Sequence, residues 1–251
     1  DTVWDNFEVR AISTSENVEL PVPTNNRIVG IGDSFTVASH NTATQGITYN
    51  SGFQPRILNP SGSVGGYLTW AMILPRTGAQ MGDGRFEFVG THATGGAQAS
   101  TIKTTHIDGT DSPLNDNPKP SFAVVLAGSN DIGAVAPSNV VNPTQLASTL
   151  DAIESIWDTL IANDILPIAC MLPPNNGTAQ NAILAINQGI RERGHAKGLV
   201  VVDLFTPCWS GTGATWGTNM HMGDGTHPSV LGAKMMGQAL RDAIDPLLLP
   251  T

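Results

Sequence analysis

Basic residues are scarce: 12 Lys plus Arg stand against 21 Asp plus Glu in 251 residues, a formal charge of -9. Nucleic acids and anionic membranes are held by cationic surfaces, so both are disfavoured as partners and a neutral or weakly charged substrate is expected. No apolar run approaches the roughly 18 residues of a membrane span, which points to a soluble protein. Cysteine is nearly missing as well. Cys170 and Cys208 do not have the spacing of a metal site; they allow one disulfide in an oxidising compartment, or two small buried apolar side chains. Internal repeats, low-complexity tracts and charge blocks are absent, and no phosphate-cradling glycine pattern follows the first apolar run. Low lysine content, many Thr, Asn and Gly, and a start at Asp1 with neither Met nor an apolar leader raise the expectation of a secreted or periplasmic protein. Nothing in the composition indicates an oligomeric state.

What the chain does have is a regular alternation. Five apolar runs, Arg27 to Ile31, Phe86 to Val89, Phe122 to Ala127, Ile165 to Met171 and Leu199 to Leu204, are nearly continuous, as in strands buried on both faces. Between and after them fall helical spacings: Tyr67, Trp70, Ala71 and Leu74; Leu146, Leu150, Ile153, Trp157 and Leu160; Ile183, Ile186 and Ile190; Leu231, Met235, Ala239 and Ala243. Strand alternating with helix predicts an α/β fold, a three-layer α/β/α sandwich around a five-stranded parallel sheet. Length fits one such domain, residues 25–251, preceded by an extension over residues 1–24. The polar stretch from His40 to Val64 exceeds a plain crossover and is expected to shape one wall of a site. Asn176-Gly177-Thr178 is a glycosylation sequon, relevant only in a eukaryotic secretory setting.

In such sheets ligands collect beyond the strands' carboxyl ends. Four polar loops lie there: Gly32-Asp33-Ser34, Thr94-Gly95-Gly96-Ala97, Gly128-Ser129-Asn130-Asp131 and Asp224-Gly225-Thr226-His227-Pro228. A serine hydroxyl must lose its proton as it attacks, and an imidazole is the side chain suited to take it near neutral pH. Asp224, three residues before His227, can share a turn with it and fix its ring through Nδ1. The Ser34 N–H, a glycine-turn N–H such as that of Gly96, and the Asn130 amide can receive an oxyanion.

These blocks, in this order over about residues 27 to 244, resemble the SGNH hydrolases, also called GDSL esterases and lipases. The resemblance implies a flavodoxin-like fold and a serine carboxylic ester hydrolase, with Ser34 as nucleophile, Asp224 and His227 as its partners and Asn130 as an oxyanion donor. It implies no metal and no organic cofactor, in line with the lack of a metal-ligand cluster. Phe35 replaces the family's leucine. The second oxyanion glycine corresponds to Gly96 or, with a shifted alignment, Ala99; Gly96 is preferred because close approach favours a residue without Cβ. Asp33 and Asp131 read as loop braces, and His40, His92, His106, His195 and His221 as surface or core histidines, with His92 and His221 as possible pocket walls. Thr36 breaks the Gly-x-Ser-x-Gly elbow, which sets aside the α/β-hydrolase fold.

Phe86-Glu87-Phe88-Val89-Gly90, the Arg27-Ile28 lead into Gly-Asp-Ser and the compact terminal block are similar to carbohydrate esterases of the superfamily. The expected substrate is therefore a short-chain acyl ester, small or on a polysaccharide, with O-acetylated carbohydrate first. A lipase, thioesterase or arylesterase with the same triad, a non-catalytic glycan-binding domain and a nucleotide-binding flavodoxin-like protein are the competing readings.

Overall fold

The computed structural model describes residues 19–37, 66–74 and 87–249. The stretch from His40 to Val64, Phe86 and most of the first 24 residues lie outside them. Five strands form one sheet: β1 (Arg27–Gly32), β2 (Glu87–Ala93), β3 (Phe122–Leu126), β4 (Leu166–Cys170) and β5 (Val201–Val202). The order is β2-β1-β3-β4-β5, with every pairing parallel. Every residue of β3 and β4 is buried, which explains their unbroken apolar character.

The helices are α1 (Ser34–Val37), α2 (Tyr67–Ile73), α3 (Ala99–Ile102, continuing into a wider turn over 103–107), α4 (Ile132–Val135), α5 (Pro143–Ile161), α6 (Gln180–Ala196) and α7 (Val230–Ile244). Helices α2 and α7 pack together on one face of the sheet, and α3, α5 and α6 on the other. This is the three-layer sandwich expected. Asn142 starts α5 by accepting the Thr144 and Gln145 N–H groups, with Pro143 at the first helical position. Ile153, Ile156, Trp157 and Leu160 then bury the sheet-facing stripe.

Three elements differ from the sequence expectation. Strand β2 runs on past Gly90 to Ala93, because a bulge opposite Ile28 and Val29 absorbs one residue at Val89 and lets pairing resume through Thr91 and His92. Strand β5 shrinks to two residues: the Leu199 N–H closes the end of α6 on Gly194 O, and the Asp203 carboxylate captures the Phe205 and Thr206 N–H groups. In α7 the buried face is Gly232, Ala233, Met236, Gly237 and Leu240, while Leu231 is exposed and Met235, Ala239 and Ala243 only partly covered. Gly237 explains the shift, since a Cβ there would stand 2.5 Å from Trp70 Cβ and 2.8 Å from Tyr67 O. The helix approaches α2 along its small side chains instead of its large ones.

Connections leave β1 toward β2 on one side and reach β3 on the other, so the crevice of such a sheet opens above β1 and β3. Gly32 ends β1 and Gly128 follows β3. Both cysteines are buried free thiols, whose ionisation burial pushes upward, Cys208 to about 12. Among the described residues no helix is long and apolar enough to cross a membrane.

Candidate active site

Ser34 is the first residue of α1, directly after β1 and the buried Asp33. The turn is tight: a Cβ on Gly32 would meet Leu126 O and Thr36 Oγ1, each at 2.4 Å. Asp33 shapes it, its main-chain oxygen accepting the Thr36 and Val37 N–H groups and its Oδ1 the Phe35 N–H at 3.1 Å. Ser34 Oγ stands 2.9 Å from His227 Nε2, across 193 positions of sequence. His227 Nδ1 in turn is 2.7 Å from Asp224 Oδ2. Asp224 Oδ1 accepts the N–H groups of Thr226 and His227, both at 2.9 Å, so one carboxylate caps its own turn and aims the ring. The Phe35 ring supports the imidazole from one side, with centroids 5.4 Å apart.

With Nδ1–H donated to Asp224, Nε2 carries a lone pair toward the serine O–H, the tautomer proton abstraction requires. Partial burial works to raise the Asp224 carboxyl, but the His227 ring N–H and the Thr226 and His227 backbone N–H groups outweigh it and hold the group below its ordinary value. Burial pushes the Asp33 carboxyl the other way, up to about 6, against the pull of the Phe35 N–H, the Ser129 hydroxyl and the charge His227 can carry.

The remaining blocks converge beside Ser34. Asn130 Nδ2 donates to Ala97 O at 3.0 Å and to Asp33 Oδ2 at 3.3 Å, which ties the loops after β1, β2 and β3 into one unit. Asp131 joins them from below, Oδ2 accepting the Ala99 N–H at 3.0 Å and Oδ1 the Thr149 hydroxyl at 3.4 Å. Both aspartates brace loops. The Ala99 N–H is thus committed to a carboxylate and heads α3 in full burial, which removes Ala99 as an oxyanion donor. Gly96 stays in the exposed turn closed by the Ala97 N–H on Thr94 O. The reason for glycine differs from the one expected: a Cβ at Gly96 would meet nothing within 4 Å, but its φ of +78° is left-handed. Gly95 is the neighbour nearer the serine, its built Cβ lying 3.9 Å from Ser34 Cβ.

Spacing gave no sign of a second His–Asp group under this turn. The largely buried His106 places Nε2 2.8 Å from Thr94 Oγ1 and Nδ1 2.9 Å from Asp111, while His92 spans Asp111 at 2.6 Å and Asp116 at 3.1 Å. Of these histidines, read from sequence as surface or core residues, His106 holds the turn that follows β2, and His92 ties the end of the strand to Asp111 and Asp116. A shallow cleft, partly open to solvent, lies beside Phe35 and is lined by Ser129, Ile132, Leu172, Pro173 and Ile183 among others.

Known proteins resemble this chain in family and in fold. The GDSL-like lipase/acylhydrolase family matches residues 31–235. Similar solved structures include a GDSL-like lipase from Bacteroides thetaiotaomicron, 18% identical with TM-score 0.59, covering 89% of each chain. The lipase/acylhydrolase from Enterococcus faecalis is 16% identical with TM-score 0.58, over 90% of this chain and 98% of that one. An acetyl xylan esterase is 15% identical with TM-score 0.59, over 85% and 97%. No curated protein sequence matches the chain. At these identities the structures speak for the shared SGNH hydrolase fold, and the family match covers most of the length: the chain belongs to the GDSL-like lipase/acylhydrolases and is a hydrolase.

Proposed function

We propose that this hydrolase is a serine carboxylic ester hydrolase that cleaves short-chain acyl esters, with O-acetylated carbohydrate as its first substrate class. The observation that carries the reading is the unbroken chain from Ser34 Oγ through His227 to Asp224, at 2.9 and 2.7 Å. Ser34 Oγ bonds to the acyl carbon while its proton passes to His227 Nε2. The oxyanion is received by the Ser34 N–H and the Gly96 turn, and by the Asn130 amide once it turns one N–H away from Asp33 Oδ2. Collapse breaks the bond to the alcohol oxygen, which leaves with the proton from His227. Water then repeats the sequence on the acyl-enzyme, returning the proton to Ser34 and releasing the acid.

The acidic composition and the likeness to an acetyl xylan esterase support a neutral glycan ester over a lipid. A fluorophosphonate probe should label the wild type and not Ser34→Ala, with ester turnover lost in parallel. Absence of labelling in the wild type favours a non-catalytic glycan-binding module. A p-nitrophenyl ester series and acetate release from acetylated xylan separate acyl classes; good turnover of long chains without acetate release makes it a lipase, thioesterase or arylesterase.

A further inference from the structure

The turn bearing Asp224 is flanked by Gly223 and Gly225, with φ of +94° and +73°. Two glycines around a carboxylate make a segment with much conformational freedom to lose, and the carboxylate and ring it carries must still be held to within a fraction of an ångström. The hydrogen bonds show what restrains it. Asp224 itself takes the N–H groups of Thr226 and His227. Those of Gly223 and Gly225 both point at one atom, His221 Nδ1, at 3.0 and 3.2 Å. Met222 N–H on His227 O, at 2.9 Å, and the His221–Pro228 bridge close the neck of the turn. His221 is only half-buried.

We infer that His221 is a positioning residue: its Nδ1 clamps the backbone on both sides of Asp224 and thereby sets the reach of the Asp224–His227 pair toward Ser34. The inference rests on the proposed triad. A neutral imidazole accepts at one nitrogen only. The two backbone donors are fixed by the turn, so Nδ1 is the acceptor and Nε2 carries the proton. Asn176 Nδ2, 3.1 Å from Nε2, is itself a donor and offers the protonated nitrogen no acceptor, while Asn176 Oδ1 receives the Trp216 N–H at 2.9 Å. Asn176 is therefore the weaker partner and Nδ1 the working end of the ring. Asn176 N–H on Gly225 O, at 2.8 Å, anchors the turn from the other side. An Asn176 glycan would have to displace these side-chain contacts.

The test compares three variants. His221→Ala removes the acceptor and should lower kcat about 10- to 100-fold with KM nearly unchanged, the scale expected of a misplacement near 1 Å. In His221→Asn the side-chain oxygen falls close to the Nδ1 position and should restore most of that loss. In His221→Gln the oxygen falls near Nε2 and should not. The proton resonance of His227 Nδ1–H, bonded to Asp224, should persist in His221→Asn and broaden or vanish in His221→Ala. Wild-type kcat in His221→Ala, or equal activity of the Asn and Gln variants, overturns the clamp; this pair decides the matter even if the alanine variant fails to fold. Turnover surviving in Ser34→Ala would instead defeat the triad reading and is scored separately.

Discussion

Ser34 and Asn130 stand on short loops that leave central strands, and the carboxylate between them, Asp33, is fully buried. Asp224 and His227 stand on a loop outside the five-stranded sheet, with side chains 46% and 28% exposed. The first pair is held by packing and by hydrogen bonds among three loops; the second by bonds within one turn, from Asp224 and His221, with one anchor from the Asn176 N–H on Gly225 O. The two halves of one site are thus kept in place by different physics. Damage to the sheet side should cost both fold and rate, whereas damage to the loop side should cost rate almost alone, because water readily replaces exposed hydrogen bonds.

The largest expected effect lies on the loop side. Asp224→Asn keeps the size of the side chain and an oxygen for the turn's N–H groups, but the amide no longer attracts the Nδ1–H tautomer. Turnover should fall about 10,000-fold, as in a serine-protease triad, with thermal stability close to wild type. A melting temperature that drops along with the rate would mean that this turn is structural, and the contrast between the halves would collapse.

Next comes Asn130→Ala, which removes the proposed oxyanion donor and, with it, the link between Asp33 and Ala97 O. About 100- to 1,000-fold should be lost in kcat. Unlike the first variant it should also melt earlier, since it leaves the buried Asp33 carboxylate without one partner. Unchanged stability here would show that the three-loop tie contributes little.

The halves differed in how far sequence alone could reach them. Strands β3 and β4 were readable because burial on both faces forces continuous apolar runs, and the loops that follow are short enough to keep Ser34 and Asn130 close to their strand ends. Asp224 and His227 were readable through chemistry, the three-residue spacing that one turn can serve. Periodicity failed where size mattered more than hydropathy: α7 buries Gly232 and Gly237 because only they permit its approach to Met220 O and Trp70. It failed also at β5, where Leu199 to Leu204 is apolar but backbone donors are drawn to Gly194 and Asp203 before they can pair. The contact of His106 with Thr94 joins separate segments that no spacing encodes, and that of His221 with the Gly223 and Gly225 N–H groups, though local, depends on a turn geometry that hydropathy does not reveal.

The smallest expected effect sharpens the contrast through pH, because the two buttressing carboxylates are shifted in opposite senses. Folding raises Asp33 from 3.8 to about 6, so the folded state holds its proton more tightly than the unfolded chain does. Between about pH 4 and pH 6 its contribution to stability falls as pH rises, by at most about 3 kcal/mol, and the slope vanishes outside that window. Asp224 is lowered, so its contribution is present above its unfolded value and is lost as pH falls through the folded one. Urea unfolding measured from pH 3.5 to 7 should therefore show stability declining toward neutrality over the Asp33 window. Asp33→Asn should be less stable than wild type near pH 4, because its amide faces the Asn130 amide donor to donor, yet should lose the part of the slope that Asp33 sets and keep the part due to Asp131, whose carboxyl burial also raises. If wild type and variant keep the same slope, the buried carboxyl is not what titrates, and the sheet-side half is less desolvated than its packing implies.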